Sequence, residues 1–577
     1  MNIPAALTVL PGLTISLILA LASPSVAVAE SAVNATTTLP PQLGPNARER
    51  YREIFALIDA TKWADANAKL SAMEQGPLHA AVRGIIFTAK GSPKVDVNDL
   101  VALATTAPDL PYSQSLVRLA SARGAMTVPL LPEVRALSWL GTSPRRGRTP
   151  TTEGDPAAGG LAAQILPLIK NDSPVEAEVL LVANQDQLTS DARTEWQQRI
   201  AWSYFLTGDD SAARKLAATA QKGSGDWAAM ADWVVGLSAW RQKDYRAASE
   251  AFASVARRHS DAEMIAAGHY WAARADMVAK QPERIQPHLR NAARLQETFY
   301  GMLAQAAMGL SPPRDPDGVG AVRKVAERPN VRAALALAEI GQTQRADELI
   351  RWQARIGVPA EHATLTLIAG KLGLPSTQLF LAHNGPRGAR TTIEGRYPAP
   401  ANWSPEGGWR VDRALVFAHA LQESNFRVNV TSAAGARGLM QVRPGTAGDI
   451  ARRKGVALGS LSNPSTNMEY GQSYIEHLRD MASTGGLLPK VIMAYNAGPA
   501  PLDRWNARGE VTNRDPLMYI ESVPYWETRG YVTIVLRNYW MYQQQAGQRT
   551  DSRFALVQGL WPRFPGMSGA NAVRVTR

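Results

Sequence analysis

The chain has 577 residues and no cysteine. The length predicts two or more domains, and the missing cysteines exclude disulfides, thiolate metal sites and cysteine nucleophiles. The eight histidines are scattered and form no zinc-type pair, so we expect no metal centre. The net charge of +12 indicates an anionic partner, but charge alone does not distinguish nucleic acid from an acidic wall polymer or a membrane surface.

The N-terminus has the features of an export signal. Residues 5–22 are almost wholly apolar, and Ala27-Val28-Ala29 is a small-x-small cleavage site. We therefore predict a signal peptide over residues 1–29, a disordered lead-in over 30–45, and a soluble mature chain in the periplasm. No Lys or Arg precedes the apolar run, so a membrane anchor is the alternative. Two prolines and the shortness of the run disfavour a spanning helix.

Residues 46–325 are rich in alanine and in short amphipathic stretches separated by small loops. The segments that begin at Ala201 and Gly236 match without gaps over their first turns and lie 35 residues apart, close to the tetratricopeptide period. A looser copy begins at His269. We predict a superhelix of paired helices, which either binds another molecule or serves as plain structural support.

Proline-rich and glycine-rich stretches mark loops and boundaries. Residues 142–160 and 311–318 are predicted loops, the first of them long and exposed, and a second helical segment is predicted over 326–395. The stretch 384–405 is rich in Gly, Pro and Arg, which predicts a domain boundary. The C-terminal domain, residues 396–577, has 21 Lys and Arg against 13 Asp and Glu, so it carries most of the net positive charge of the chain.

One acidic residue in this domain has unusual neighbours. Residues 411–422 predict a helix with Asp412 in its first turn and apolar residues on one face, and Glu423 closes it. A carboxyl group beside apolar helix surface is poorly solvated, so its neutral form is favoured. Such a group can act as the general acid in glycosidic cleavage. The alternative is a solvent-exposed glutamate at a helix end.

Three further segments follow along the chain. Gly435 and Gly438 let the backbone pass close to a bulky ligand, and Gln441 offers an amide suited to a sugar hydroxyl or acetamido group. Residues 463–478 predict a capped turn and a helix, and residues 491–505 predict an apolar helix that ends in a glycine–proline turn. Each motif is weak alone.

Taken in order, the motifs E-S-x-F, A-G-A-x-G-L-M-Q, N-P-x-x-N and A-Y-N-A-G resemble the lysozyme-like catalytic domain of lytic transglycosylases. Residues 519–542 resemble the E-S-I-P-x-x-E-T-R-G-Y-V segment of the soluble lytic murein transglycosylase family. The resemblance is strong over 410–542 and architectural before it. It implies an all-α protein with three parts. These are a ring-shaped, tetratricopeptide-like superhelix (U-type, 46–325), a helical linker (L-type, 326–395) and a lysozyme-like, mainly helical catalytic domain (396–577).

The resemblance also implies site residues. Glu423 matches the family's single catalytic acid and base. Five residues match groups that contact or border the glycan and are predicted to bind substrate: Ser432, Gln441, Tyr495, Asn496 and Glu521. The alternatives are that Asn496 only helps to end a helix and that Glu521 only pairs with Arg529 or Arg537.

Two positions depart from the family pattern. Arg443 lies two places after Gln441, where an apolar residue is expected, so it either alters a sugar subsite or adds charge facing the substrate. His419 stands where the family usually has an aliphatic residue. We interpret it as a packed helix residue rather than as a catalytic partner.

The reaction that the resemblance implies cleaves the β-1,4 bond between N-acetylmuramic acid and N-acetylglucosamine without water. It leaves a 1,6-anhydromuramyl end and uses neither metal nor cofactor. The alternatives are a muramidase of the same fold that uses water and a non-catalytic glycan-binding scaffold. The predicted leader and the missing nucleic-acid motif disfavour nucleic acid. The implied partners are peptidoglycan glycan strands and other cell-wall proteins bound through the superhelix, with the chain itself a monomer.

Overall fold

A computed structural model of the chain describes residues 39–310, 319–508 and 514–575. The predicted signal peptide, most of the predicted lead-in and the predicted loop at 311–318 lie outside these residues. The described chain is almost wholly helical, which confirms the all-α prediction. None of its helices combines the length and the apolar character that a membrane span requires.

The N-terminal part begins with a group of short helices: α1 Pro45–Asp59, α2 Trp63–Ser71, α3 His79–Thr88, α4 Val97–Thr106 and α5 Ser113–Ala122. The residues just before α1 differ from the predicted disordered lead-in. Leu43 is 4% exposed, and the backbone N–H groups of Gln42 and Leu43 donate to the carboxylate of Glu339. This contact spans 296 residues, so no local sequence pattern indicates it.

The next helices pack against their neighbours in sequence: α6 Ala158–Lys170, α7 Pro174–Asn184, α8 Ser190–Thr207, α9 Asp210–Ala220, α10 Gly225–Arg241, α11 Tyr245–Arg258, α12 Ala262–Val278, α13 Pro282–Ala293 and α14 Phe299–Ala307. The two matching segments fall on α8–α9 and α10–α11, which confirms the predicted helix pairs. Asp209 and Asp244 occupy equivalent positions 35 residues apart and cap α9 and α11 by accepting backbone N–H bonds. Gly236 lets α11 approach closely, because a Cβ there would lie 2.5 Å from Phe252.

A further set of helices returns the chain to its beginning: α15 Val319–Ala326, α16 Pro329–Glu339, α17 Thr343–Ile356, α18 His362–Lys371 and α19 Pro375–His383. They share one hydrophobic core with α1 to α3. The short strand β1 (Ser138–Trp139) also pairs antiparallel with β2 (Asn384–Gly385). These contacts close the chain on itself, as a ring requires. The predicted boundary at 325–326 falls inside α15, so the linker segment begins earlier than predicted.

The C-terminal part is built from helices and one small hairpin: α20 Arg413–Ser424, α21 Pro444–Lys454, α22 Pro464–Arg479, α23 Leu488–Ala497, α24 Pro499–Arg508, α25 Pro516–Glu521, α26 Trp526–Gln545, α27 Asp551–Val557, β3 Trp561–Pro562 and β4 Ala572–Val573. The helix α20 is central. Residues 414–421 are all buried, where the sequence predicts a single apolar face, because α26 and its neighbours surround α20.

The loop over 142–160, which was predicted to be exposed, is partly buried between the N-terminal part and the C-terminal part. Arg146, whose side chain is 10% exposed, donates two hydrogen bonds of 2.8 and 3.0 Å to the carboxylate of Glu521. Ser143 is buried, and the guanidinium of Arg537 donates to the carbonyl of Pro144. The composition of this loop indicates solvent exposure. Part of it is nevertheless buried or nearly so, because Glu521 and Arg537, more than 370 residues away along the chain, pack against it.

Candidate active site

Helix α20 places Glu423 in its last turn. Asp412 caps the start of the helix by accepting the Ala414 N–H at 2.9 Å, and the Tyr539 hydroxyl holds Asp412 at 2.7 Å. The helix ends because Asn425 and Phe426 both adopt left-handed backbone angles, with φ of 50° and 58°. Two consecutive left-handed residues turn the chain sharply. The carboxyl group therefore lies at the boundary between the helical core and the loop that follows.

The carboxyl group of Glu423 is partly buried and has one direct hydrogen-bond donor. The Tyr531 hydroxyl, from α26, donates to Oε1 at 2.6 Å. Burial raises the pKa of Glu423 to about 7; the hydrogen bond from Tyr531 opposes this shift, and the negative charge of Glu527 adds to it. A carboxyl group with this pKa exists in both protonation states near neutral pH, so it can donate a proton and then accept one.

Aromatic rings surround the base of this carboxyl group. His419 is fully buried one turn before Glu423, and its ring centroid lies 4.7 Å from that of Tyr495 and 6.1 Å from that of Tyr531. Burial lowers the pKa of His419 to about 4, and its Nδ1 donates to the Leu415 carbonyl at 2.9 Å. The imidazole is therefore neutral, which agrees with its interpretation as a packed helix residue.

Tyr495 connects this aromatic group to the glycine-rich loop. It projects from the end of α23, and its hydroxyl donates to the Met440 carbonyl at 2.8 Å. The Tyr474 ring lies 5.5 Å from it. Because the hydroxyl is bonded to the loop backbone, Tyr495 holds the loop beside Glu423.

The loop itself is tied by its own side chains. The Oγ of Ser432 accepts the Ala436 N–H at 3.0 Å, and the amide of Gln441 donates to the carbonyls of Val430 and Gly438 at 3.2 and 2.8 Å. Both side chains are partly exposed. In this arrangement they fix the loop, and their remaining surface faces outward.

Asn467, in the first turn of α22, holds the same loop through hydrogen bonds to its backbone. It is fully buried, accepts the Met440 N–H at 2.7 Å, and donates to the carbonyls of Arg437 and Leu461. Gly438 lies against it with φ of 72°, and a Cβ there would lie 2.1 Å from the Leu461 oxygen. Asn467 is the last residue of the N-P-x-x-N motif, and this motif alone predicted no role for it.

The predicted substrate-binding residues do not all meet at this carboxyl group. Asn496 accepts a 2.6 Å bond from the Thr528 hydroxyl, so it joins the end of α23 to the start of α26. Glu521 is 0% exposed and also accepts a 2.7 Å bond from Tyr300. The prediction that Glu521 contacts glycan therefore needs correction. Both its carboxylate oxygens accept hydrogen bonds from Arg146 or Tyr300 at the interface between the N-terminal part and the C-terminal part. The alternative was that Glu521 only pairs with Arg529 or Arg537. Its carboxylate instead pairs with Arg146, and Arg529 donates to the backbone carbonyl of Glu521 at 3.2 Å.

Two residues of the site escaped the sequence reasoning. Tyr531 donates the only hydrogen bond that the carboxyl group of Glu423 receives within the described residues, and the negative charge of Glu527 adds to the rise in the pKa of Glu423. Both lie in the E-T-R-G-Y-V part of the segment 519–542. That motif was the available signal, but the sequence prediction named Glu521 from this segment and not Glu527.

Comparisons with known proteins identify the family of the C-terminal part. Residues 404–517 match the family described as Transglycosylase SLT domain, so the C-terminal part belongs to the class of SLT domains. A soluble lytic murein transglycosylase of Salmonella typhimurium is 34% identical over 148 residues, covering 25% of this chain and 22% of its own. An endo-type membrane-bound lytic murein transglycosylase A of Klebsiella pneumoniae is 31% identical over 140 residues, covering 22% of this chain and 69% of its own.

The chain belongs to the lytic murein transglycosylase family. The match spans about a fifth of the length of the soluble relatives. Among solved structures, the 70 kDa soluble lytic transglycosylase SLT70 from Escherichia coli aligns over 90% of this chain and 99% of its own, with 17% identity and a TM-score of 0.48.

Proposed function

We propose that this protein is a periplasmic lytic transglycosylase that cleaves the bond between N-acetylmuramic acid and N-acetylglucosamine in peptidoglycan and forms 1,6-anhydromuramyl ends. The observation that carries the proposal is the environment of Glu423. Its carboxyl group has a pKa of about 7, one tyrosine donor and a glycine-rich loop beside it. This is the protonation behaviour that one group needs to serve as acid and then as base.

In the proposed mechanism, protonated Glu423 donates its proton to the bridging oxygen as the C1–O bond of the muramic sugar breaks. The acetamido oxygen of that sugar stabilises the developing positive centre at C1. The C6 hydroxyl of the same sugar then attacks C1 and gives its proton to the Glu423 carboxylate. The carboxyl group is restored, no water is consumed, and no second carboxylate is needed to activate one.

The other residues have supporting roles in this proposal. Tyr531 fixes the orientation of the carboxyl group and remains a donor, because burial raises its own pKa well above the usual value. Tyr495 holds the loop through Met440, and the outward surface of Ser432 and Gln441 contacts the sugar.

The charge and the relatives support the proposed substrate and location. Peptidoglycan carries acidic peptide stems, and the net charge of +12 favours binding to such a polymer. The relatives include a soluble and a membrane-bound murein transglycosylase. We propose glycan strands as the substrate, with the superhelix available to other cell-wall proteins.

A hydrolase of the same fold is the second candidate, favoured by one observation. Glu527 is exposed and lies close enough to Glu423 to raise its pKa. A second carboxylate could activate water on the opposite side of the sugar. Mass analysis of the products separates the two reactions, because hydrolysis gives reducing ends that are heavier by one water than anhydro ends.

The test compares wild type with Glu423→Gln on purified sacculi. We expect the variant to lose anhydro-muropeptide release by about 10²–10⁴-fold or more. The matched control is Asp449→Asn, which neutralises an exposed carboxylate of the same domain and should keep full activity. Persistent release by Glu423→Gln would remove this residue from the mechanism, and retained biological effect without release would favour the scaffold alternative.

The same variant has a stability readout that guards against misfolding. The folded pKa of Glu423 is raised from 4.5 to about 7, so ionisation of this group opposes folding increasingly as pH rises from 4.5 through 7. Glu423→Gln removes that cost. We expect its thermal midpoint at pH 8 to equal or exceed that of wild type.

A further inference from the structure

An exposed indole lies outside the site of Glu423, where strand β1 pairs with strand β2. Trp139 is 64% exposed, although its ring stacks on that of His383 with a centroid distance of 5.3 Å and an interplanar angle of 20°. An indole that is this exposed while one face is covered leaves its other face open to solvent. Single exposed apolar residues are common, so the surroundings of this indole decide what it can bind.

The two stacked rings are held in fixed positions. Trp139 pairs with Asn384 in the register of β1 and β2. Nδ1 of His383 donates to the Gly141 carbonyl at 2.8 Å, and burial lowers the pKa of this histidine. The imidazole is therefore neutral at neutral pH and keeps one orientation beneath the indole. A flat ring that is already fixed loses little conformational entropy when a ligand stacks on it.

The exposed face of helix α19 continues this surface. Phe380, His383 and Asn384 lie within an arc of about 100° around the helix axis, and each is at least partly exposed. The guanidinium carbon of Arg351, from α17, lies 4.5 Å from the centroid of the Phe380 ring. Because Asn384 is the strand partner of Trp139, these side chains form one strip. We call it the aromatic shelf: Trp139, Phe380, His383 and Asn384.

Polar groups border the aromatic shelf. Nδ2 of Asn384 donates to the Phe380 carbonyl at 2.8 Å, which leaves the side-chain oxygen of Asn384 as a free acceptor. Arg387 and Arg390 follow directly along the chain; both are exposed, and neither makes a hydrogen bond or an ion pair within the described ranges. Guanidinium groups bind carboxylates with paired hydrogen bonds. The border of the shelf is therefore suited to a ligand with hydroxyl and carboxylate groups.

This combination favours a saccharide over a protein partner. A fixed aromatic ring with an open face stacks on the apolar face of a sugar, and amide and guanidinium groups bond the hydroxyls around it. A stable protein interface needs about 800 Å² on each partner, whereas the shelf is only four side chains in extent.

Helix α19 also connects the shelf to the catalytic helix. The Oγ of Ser376, in the first turn of α19, donates to the Phe426 carbonyl at 3.0 Å, and Phe426 belongs to the turn that ends α20 just after Glu423. At about 1.5 Å per residue, the far end of the shelf at Asn384 lies about 12 Å from this contact along α19. A polymer can span this distance while one of its sugars lies at Glu423.

We propose that the aromatic shelf is a distal glycan subsite, which stacks a sugar of the same peptidoglycan strand on Trp139 while another part of the strand lies at Glu423. The acidic peptide stems of the strand then meet Arg387 and Arg390. The inference rests on the proposed function, since it assigns a second contact to that substrate. It predicts that long strands bind more tightly than fragments too short to reach the shelf.

The test measures KM and kcat of the full chain for anhydro-end formation on two substrates: long glycan strands from sacculi and a tetrasaccharide fragment. The shelf variants are Trp139→Leu, which removes the flat ring, and Trp139→Tyr, which keeps an aromatic ring. The matched control is Leu130→Ala, because Leu130 is an apolar residue that is 96% exposed and precedes β1.

We expect Trp139→Leu to raise KM for long strands about tenfold, with kcat unchanged. The tetrasaccharide should react with the parent's constants, Trp139→Tyr should recover most of the loss, and Leu130→Ala should behave as wild type. An unchanged KM for long strands in Trp139→Leu would overturn the inference and assign the shelf to another kind of partner. An equal rise for the tetrasaccharide would also overturn it, because the effect would then arise at Glu423.

A second variant leaves the rings in place and changes only the charge. Arg387→Gln combined with Arg390→Gln should raise KM for strands that keep their peptide stems and should not affect strands stripped of them. Arg118→Gln is the control, since Arg118 is an exposed arginine on α5, away from the shelf in sequence. An equal effect on stripped strands would contradict the role of the two arginines.

The failure of the proposed function is read separately. Calorimetry with long strands in the Glu423→Gln background needs no turnover, and there Trp139→Leu should weaken the dissociation constant about tenfold. Normal anhydro-end formation by wild type, with equal strand binding by Trp139→Leu and Leu130→Ala, overturns the shelf alone. Absence of anhydro ends, with strand binding still weakened by Trp139→Leu, overturns the reaction and supports the shelf.

Discussion

The hydrogen bond between Tyr531 and Glu423 gives the sharpest test of the catalytic proposal. Tyr531→Phe removes the hydroxyl that donates to Glu423 Oε1 at 2.6 Å and leaves the ring in place. This bond stabilises the carboxylate and so lowers the pKa of Glu423, against the larger opposing effect of burial. Without the bond the carboxylate is less stable, and the pKa must rise.

The size of the rise follows from the strength of the bond. A hydrogen bond to a charged group contributes about 1.5–3 kcal/mol, and one pKa unit corresponds to about 1.4 kcal/mol. Because the carboxyl group is only partly buried, we take the lower end and expect the pKa of Glu423 to rise by about one unit. The acid form then persists to higher pH, so the alkaline limb of the pH–rate profile moves upward by about one unit.

The assay follows release of soluble anhydro-muropeptides from sacculi between pH 5 and about 10, at saturating substrate, for wild type and variant. Tyr495→Phe is the matched control, because its half-buried hydroxyl donates to the Met440 carbonyl at 2.8 Å and not to Glu423. Its alkaline limb should stay in place. A limb that stays or moves to lower pH in Tyr531→Phe would refute the assignment of Glu423 as the acid whose proton the rate requires.

Three further predictions concern charge and packing near the site. Glu527→Gln removes the negative charge that raises the pKa of Glu423, so the alkaline limb should move to lower pH; an upward shift would contradict this. Glu521→Gln leaves a buried arginine without its carboxylate, which should lower the free energy of unfolding in urea by about 3–5 kcal/mol; a loss below about 1 kcal/mol would show that the interface tolerates the gap. Gly438→Ala should lower the free energy of unfolding by about 2 kcal/mol or more, since φ is 72° and a backbone oxygen would lie 2.1 Å from the new Cβ. Gly435→Ala has a similar φ but open space around the new Cβ, so it should lower this free energy by about 1–2 kcal/mol from backbone strain alone. Equal losses in the two variants would show that the close contact at Gly438 has no effect.

Local sequence signals predicted a large part of the fold. The 35-residue offset between two matching segments identified paired helices, because each pair buries its apolar face only against the next and repeats the same caps, here Asp209 and Asp244. The position of Glu423 at the end of an apolar helix predicted a poorly solvated carboxyl group, and the glycines that follow predicted a tight loop.

The failures of the sequence reasoning share one cause. Glu521 was predicted to contact substrate, yet its partner Arg146 lies 375 residues away, in a loop that composition predicted to be exposed. The ordered residues before α1 pair with a carboxylate 296 residues away. Periodicity and composition describe a residue's neighbours along the chain, so they carry no information about such partners.

The sequence by itself determined that helices pair in series and that an acid stands at the end of one of them, since both follow from residue spacing within a few turns. The tertiary structure alone decided which groups act on that acid. Tyr531 reaches Glu423 across 108 residues. Desolvation and hydrogen bonding depend on distances in space, and folding sets those distances only when sequence-distant helices pack together.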